Sequence, residues 1–339
     1  MFHQRIDSTA NLAPGSGRIE GIEALRGLAA VAVVLCHTAR HLDQAFGALL
    51  LRRLFEPGHS GVDLFFVLSG FIILLVHRRD VDRPDRLGRY TWRRLVRVWP
   101  LYWLALAITI AKTIVGGHVA PSAGEVVWNM ALLPTTGEPI LGIAWTLQFE
   151  AVFYLLFGLL LVDRRLGIAA LGSWLALVIG GLTVGWQVSV ATSAFALEFG
   201  LGMAAATLVR RGTVTQPARI AMTGGLLFAA AWIAEAARLL DGYGTLARMA
   251  YGVPAAMIVA GVAAWRPSVP QPLRTLGAAS YAIYLFHLLG IGAAWQLLGR
   301  AGATMPSVGW FVTLATSGIL SGLVSHRLVE RPMLARLRR

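Results

Sequence analysis

The sequence predicts an all-α, polytopic integral membrane protein of about ten transmembrane helices, and three observations support this fold class. Of the 339 residues, 56% are hydrophobic and only 14% are charged, whereas roughly 25% of residues in a soluble domain are charged. The mean hydropathy of +0.65 extends over the whole chain. The basic residues are concentrated in the short segments between apolar runs, as in proteins that cross a membrane several times.

Each predicted helix is an apolar run of about 17–25 residues, the length that crosses a bilayer. In chain order the ten runs cover 24–42, 61–77, 98–115, 143–162, 168–186, 190–209, 220–240, 247–265, 276–297 and 308–328. Residues 1–20 lack an apolar core, so we expect a short disordered segment rather than a cleavable signal peptide. We expect a single membrane domain over residues 21–332, followed by a basic cytoplasmic tail at 333–339.

The distribution of arginine predicts the orientation, because basic residues accumulate in cytoplasmic loops. Eight arginines lie between Arg78 and Arg97, whereas residues 116–142 contain no lysine or arginine. Arg52 and Arg53 depart from this alternation. We therefore expect both termini in the cytoplasm, and we interpret the net charge of +13 as a sign of membrane orientation rather than of nucleic-acid binding.

Ionisable side chains within apolar runs are costly in hydrocarbon and therefore mark candidate functional sites. His37 and Glu150 lie at similar depths in the outer halves of the first and fourth runs, and Asp63 lies near the outer start of the second. Glu198 and His287 lie near the middle of the sixth and ninth runs. His37 and Glu150 are thus a candidate general base and the carboxylate that orients it.

The spacing of Arg26 and His37 in EALRGLAAVAVVLCHTARH predicts that both residues lie on one face of the first helix. Eleven positions complete just over three helical turns and advance about 16 Å. An anionic ligand with a long neutral arm, such as coenzyme A with its thioester, fits this separation. Arg94 and Arg97 would supply further phosphate contacts. Alternatively, Arg26 is an interfacial anchor and His37 a structural histidine.

Five motifs along residues 20–332 resemble the acyltransferase 3 family of integral membrane O-acyltransferases. The residues in these motifs are most similar to those of the exopolysaccharide acetylase branch of the family. In chain order they are LRGLAAVAVVLCH (25–37), GVDLFFVLSGFII (61–73), RRLVRVWPLYW (93–103), WTLQFEAVFYLLF (145–157), and SYAIYLFH (280–287) followed by VERP (329–332).

The resemblance implies transfer of an acyl group, usually acetyl, from cytoplasmic acyl-CoA to a sugar hydroxyl in a polysaccharide, lipid-linked oligosaccharide or glycosylated metabolite. The implied catalytic residues are His37, as general base or transient acyl carrier, with Arg26 and Glu150. The candidates for binding the acyl-CoA donor are Arg93, Arg94 and Arg97. The candidates for binding substrate are Asp63, Ser69, Trp145, Tyr154, Tyr284 and His287.

No metal and no permanently bound cofactor are expected, since Cys36 is the single cysteine and acyl-CoA acts as a donor substrate. The expected partners are acyl-CoA, a sugar-containing acceptor, membrane lipid and polysaccharide-assembly proteins, and the expected location is the bacterial inner membrane. Some family members carry an appended extracytoplasmic domain, which we do not expect in this chain.

Two other function classes fit an apolar chain with ionisable residues in its spans. The first is a transporter or flippase for a lipid-linked sugar or a small solute, although no internal repeat supports it. The second is a membrane anchor or sensor in a polysaccharide-assembly complex. Release of thiol from acetyl-CoA by the purified protein distinguishes an acyltransferase from both.

Overall fold

The computed structural model describes residues 17–135, 137–185 and 192–337, and no β-strand occurs among them. The polytopic all-α fold predicted from the sequence is confirmed. In chain order the helices are α1 Gly17–Phe46, α2 Leu49–Phe55, α3 Gly61–His77, α4 Leu87–Val115, α5 Ala123–Met130, α6 Trp145–Val162, α7 Arg164–Val184, α8 Ala196–Arg211, α9 Pro217–Ala236, α10 Thr245–Trp265, α11 Gln271–Ala278, α12 Ser280–Arg300, α13 Ser307–Ser325 and α14 Arg331–Leu337.

In the described part of the chain, nine helices are long and apolar enough to cross a membrane, and each corresponds to a predicted span. The predicted sixth span, 190–209, begins in residues that lie outside the described ranges, and its described part is α8. With 16 residues, α8 rises about 24 Å, somewhat less than the hydrocarbon thickness of a bilayer. It nevertheless packs inside the bundle, against α3, α7 and α10.

The two ends of the chain are more helical than predicted. The helix α1 begins at Gly17, inside the segment 1–20 that was expected to be disordered, and residues 1–16 lie outside the described part. Likewise α14 extends through Leu337, into the predicted basic tail. One end of the bundle, where α1 begins, α3 ends and α4 begins, is called the basic end. The other end is called the opposing end.

The helix α1 occupies the centre of the bundle, where it contacts α2, α3, α10, α11, α12 and α13. Its middle is built from small and β-branched residues, and Ala29, Ala30, Val33 and Val34 are buried. Small side chains let neighbouring helices approach closely, which is how helices associate where lipid offers no hydrophobic driving force. The residues on α1 therefore meet side chains from both halves of the chain.

Glycines at two points bring α3 and α8 into backbone contact. A Cβ atom added at Gly202 would lie 2.8 Å from Phe71 N, and one at Gly70 would lie 2.9 Å from the carbonyl carbon of Phe199. Both distances are shorter than a carbon atom tolerates, so only glycine fits these positions. This close contact holds α3 in place against α8, and α3 forms one wall of the cavity described below.

Candidate active site

A cavity opens inside the bundle between α1, α3, α4, α6 and α12, with about 820 Å³ of empty space, part of it open to solvent. Along α3 its wall runs from Val62 near the opposing end to Ile73 towards the basic end. These eleven positions correspond to about 16 Å of helix. The cavity is therefore long enough to hold an extended chain of atoms along the bundle axis.

The charged side chains that line the cavity are Arg26, Arg94, Arg97 and Glu150. These are three positive groups and one negative group, and because Arg97 is also paired with the buried carboxylate of Glu330, one positive charge is in excess. The Nε atoms of Arg26 and Arg94 are buried and have no hydrogen-bond partner in the described part of the chain. Because buried donors of this kind are normally paired, the arginine end of the cavity has the character of an anion-binding site.

Aromatic rings and a carboxylate hold the α4 guanidinium groups in place. Arg94 lies over the ring of Tyr154, with 5.7 Å from Cζ to the ring centroid, and Arg97 lies over Tyr281 at 5.3 Å. Arg97 also forms an ion pair with Glu330, a fully buried carboxylate. Planar guanidinium groups are well suited to such stacked arrangements.

Glu330 lies in the motif VERP (329–332) and is a functional candidate that was not predicted from the sequence. A π-helical turn at His326–Glu330 directs its carboxylate inward, where His326 Nδ1 lies 2.7 Å from Oε2. Single π-helical turns within α-helices often occur at functional sites. The sequence shows only an acidic residue two positions before Pro332, and this pattern does not reveal that the side chain points inward.

Glu150 lies in the middle of the cavity wall and does not contact His37. Ser69 donates a hydrogen bond to Glu150 Oε1 over 2.8 Å, and Tyr154 donates a second to the same oxygen. The prediction that Glu150 orients His37 is therefore wrong for this structure. Similar depth in two helices gives no information about the face on which each side chain lies.

His37 pairs instead with His287, beyond the end of the cavity that lies towards the opposing end of the bundle. Its Nδ1 atom lies 3.0 Å from Val33 O and 3.2 Å from His287 Nε2. Tyr284 lines the cavity, and its ring centroid is 6.0 Å from that of His287. The imidazole pair is thus adjacent to the end of the cavity farthest from the arginines, without lining it.

The structure separates the remaining candidates into two groups. Ser69, Tyr154 and Tyr284 line the cavity, as predicted substrate contacts would. Arg93 is exposed on α4, so it is not brought to the cavity with Arg94 and Arg97. Trp145 packs in an aromatic cluster with Phe66, Phe149 and Phe195 rather than against the cavity.

Asp63 also lies away from the cavity, in a buried ion pair with Arg248 of α10. Arg248 Nη1 donates to both oxygens of Asp63, over 2.7 and 2.6 Å. The fully buried Glu198 interacts electrostatically with both members of the pair. Arg248 was not among the residues predicted to be functional, although it lies near the start of its span, at the depth of Asp63.

No cluster of three or more histidine, cysteine, aspartate or glutamate side chains suited to a metal ion occurs among the residues that the structure describes. The polar groups that line the cavity are guanidinium groups, a carboxylate and hydroxyls, and the imidazole pair lies beside it.

Comparison with known proteins yields a family match and several similar full-length chains. The profile of the Acyl_transf_3 family, described as an acyltransferase domain, matches residues 19–326. The exopolysaccharide production protein ExoZ of Rhizobium meliloti (strain 1021) is 32% identical over 313 residues, which cover 83% of this chain and 91% of ExoZ. The acyltransferase MdmB of Streptomyces mycarofaciens is 29% identical over 376 residues, 95% of this chain and 93% of MdmB.

A third similar protein is longer than this chain. The peptidoglycan O-acetyltransferase OatA of Listeria monocytogenes is 24% identical over 361 residues, which cover 93% of this chain and 56% of OatA. No solved structure matches the chain.

Proposed function

Because this chain belongs to the Acyl_transf_3 family of acyltransferases, we propose that it transfers an acyl group, usually acetyl, from cytoplasmic acyl-CoA to a sugar hydroxyl. The observation that carries the proposal is the elongated cavity. Three guanidinium groups lie in its wall, and the His37–His287 pair lies beside its far end.

The basic end of the bundle faces the cytoplasm in this proposal, and the protein resides in a bacterial inner membrane. The eight arginines between Arg78 and Arg97 support that orientation, because such residues remain on the cytoplasmic side. Acyl-CoA, which is made in the cytoplasm, then approaches the cavity from the end where the arginines lie.

The phosphates of acyl-CoA bind the guanidinium groups of Arg26, Arg94 and Arg97, which form charge-assisted hydrogen bonds with phosphate oxygens. All three side chains line the cavity, and the Nε atoms of Arg26 and Arg94 have no partner in the described part of the chain. The neutral pantetheine arm follows the apolar wall formed by Phe65, Leu68 and other α3 residues. Its thioester then reaches the end of the cavity near Tyr284.

His37 performs the chemistry as a general base or as a transient acyl carrier. As a base, Nε2 accepts the proton of the sugar hydroxyl while the hydroxyl oxygen attacks the thioester carbonyl. The carbon–sulfur bond then breaks, and the departing thiolate takes the proton from His37. As a carrier, Nε2 attacks the thioester carbonyl, and the carbon–sulfur bond breaks with release of the thiolate of CoA. The sugar hydroxyl oxygen then attacks the acyl group on Nε2, the nitrogen–carbon bond breaks, and the hydroxyl proton passes to the thiolate.

The acceptor that we propose is a sugar unit of a polysaccharide. The names of two relatives, an exopolysaccharide production protein and a peptidoglycan O-acetyltransferase, support this class. The similarity to ExoZ over most of both chains favours an exopolysaccharide repeat unit.

The decisive experiment measures thiol release from acetyl-CoA by the purified protein with and without oligosaccharide acceptors. An acyltransferase releases CoA in step with formation of the acetyl ester on the sugar. A transporter or flippase moves its solute across liposomes without consuming acetyl-CoA, and that result would replace this proposal.

Arg94→Ala is expected to raise the KM for acyl-CoA by roughly 10- to 100-fold, since a hydrogen bond to a charged group contributes about 1.5–3 kcal/mol. The matched control is Arg93→Ala, which removes the same charge from an adjacent, exposed position and should leave KM within about twofold of wild type. Initial rates over a range of acyl-CoA concentrations provide the measurement. Equal KM values for the two variants would assign Arg94 to membrane orientation alone.

A further inference from the structure

We propose that His287 is a positioning residue that fixes the tautomer of His37 and leaves His37 Nε2 free as the reacting atom. This inference rests on the proposed function and adds to it the group that orients the imidazole. The observations behind it are the hydrogen bonds of the two rings, which together allow one consistent placement of their protons.

Two backbone carbonyl groups show which ring nitrogen of His287 carries the proton. His287 Nδ1 lies 2.7 Å from Tyr284 O and 3.2 Å from Ile283 O, and a carbonyl oxygen can only accept a hydrogen bond. Nδ1 therefore carries the hydrogen. In a neutral imidazole the second nitrogen is then an acceptor, so the lone pair of Nε2 is available to His37.

The nitrogen of His37 that carries the proton is identified in the same way. Its Nδ1 atom lies 3.0 Å from Val33 O and 3.2 Å from His287 Nε2, and both of these atoms are acceptors. Nδ1 of His37 therefore carries the hydrogen, and its Nε2 keeps a lone pair. The opposite tautomer would direct the Nδ1 lone pair of His37 at Val33 O, and no hydrogen bond would remain between the rings.

His37 Nε2 has no hydrogen-bond partner among residues 17–135, 137–185 and 192–337, and the His37 side chain is only partly buried. It is therefore the nitrogen that can take a proton from a hydroxyl. When it does, the imidazolium keeps its Nδ1–H bond to His287 Nε2, as in triads where a third group maintains the correct tautomer.

A neutral partner suits this depth in the membrane better than a carboxylate does. His287 is fully buried, and an ionised side chain in such surroundings requires a compensating charge. Two backbone carbonyls of α12 orient the ring instead, and no net charge is buried before the reaction begins.

Two substitutions at this position separate the roles of the two ring nitrogens. His287→Gln retains an acceptor near the position of Nε2, whereas His287→Asn retains a group near Nδ1 and has nothing that reaches His37. We expect kcat to fall roughly 10²- to 10⁴-fold in the Asn variant and to remain within about tenfold of wild type in the Gln variant. The KM for acyl-CoA should be unchanged in both.

The control is His118→Asn, at an exposed position in the loop between α4 and α5, which should behave as wild type. Thermal unfolding in detergent compares the folding of the variants. If His287→Asn retains as much kcat as His287→Gln, or if the two fall equally, the proposed role of His287 is overturned.

Nuclear magnetic resonance of protein with ¹⁵N-labelled histidines tests the pairing without any turnover. The expected spectrum shows His37 protonated at Nδ1 in wild type, with the signals assigned from the His37→Gln variant. Protonation of His37 at Nε2 instead would overturn the inference. Absence of thiol release by the wild type would contradict the proposed function, while the spectrum would still decide the tautomer.

Discussion

The His37→Ala variant is expected to lose acyl transfer by about 10²- to 10⁴-fold while it inserts and folds as the wild type does. Removal of a general base forfeits rate of that order, because no other group takes the proton in the transition state. The fold should persist, since the only hydrogen bonds of this side chain in the described structure are to Val33 O and His287. Initial rates of thiol release, compared at equal amounts of folded protein, provide the measurement.

His118→Ala is the matched control for this loss, because it removes an imidazole from an exposed loop. Single-turnover reactions with labelled acetyl-CoA and no acceptor distinguish the two roles of His37. An acyl carrier retains label on the wild-type protein and none on the variant, whereas a general base retains none on either. Turnover by His37→Ala at more than about a third of the wild-type rate would refute a catalytic role.

The Arg248→Met variant is expected to lose about 3–5 kcal/mol of stability, the usual cost of removing one partner from a buried ion pair. The Asp63 side chain is fully buried and Arg248 is 3% exposed, so the carboxylate left behind has no access to water. Glu198, which is also buried beside it, adds a second carboxyl group to the uncompensated site. The midpoint of thermal unfolding in detergent is the measured quantity.

An exposed ion pair provides the control for Arg248. Arg164 and Asp82 lie 3.2 Å apart with 63% and 48% of their side chains exposed, and Arg164→Met should change stability by about 0–1 kcal/mol. Replacing both partners, in Asp63→Asn/Arg248→Met, should recover part of the loss because the unpaired charge is gone. Equal unfolding midpoints for Arg248→Met and Arg164→Met would show that the buried pair contributes little.

The transmembrane segments could be predicted because a bilayer imposes a length and an apolar composition on each of them. The boundaries were less predictable where helices continue beyond the predicted spans, as at Gly17 and Leu337. The arginine end of the site was also predictable in part. Arg26, Arg94 and Arg97 all line the cavity, and the sequence placed all three at the basic ends of the first and third predicted spans.

The pairing of side chains could not be predicted, because sequence position gives depth in the membrane but not the neighbouring helix. Arg26 and His37 do lie about three turns apart on α1, yet different helices cover them. Arg26 interacts electrostatically with Arg97 of α4 and Glu150 of α6, whereas His37 meets His287 of α12. Each pairing joins segments that are far apart in the chain, so it depends on packing rather than on a local pattern.

The π-helical turn at His326–Glu330 has a consequence for the order in which the protein becomes competent. Arg97 emerges from the ribosome more than 200 residues before Glu330, the carboxylate with which it pairs. Until Glu330 is synthesised, Arg97 on the α4 wall of the cavity therefore lacks its counter-charge, and the arrangement of the guanidinium groups is incomplete. A chain in which Glu330 has not yet been made thus has the helices of the proposed donor site without the ion pair that holds Arg97.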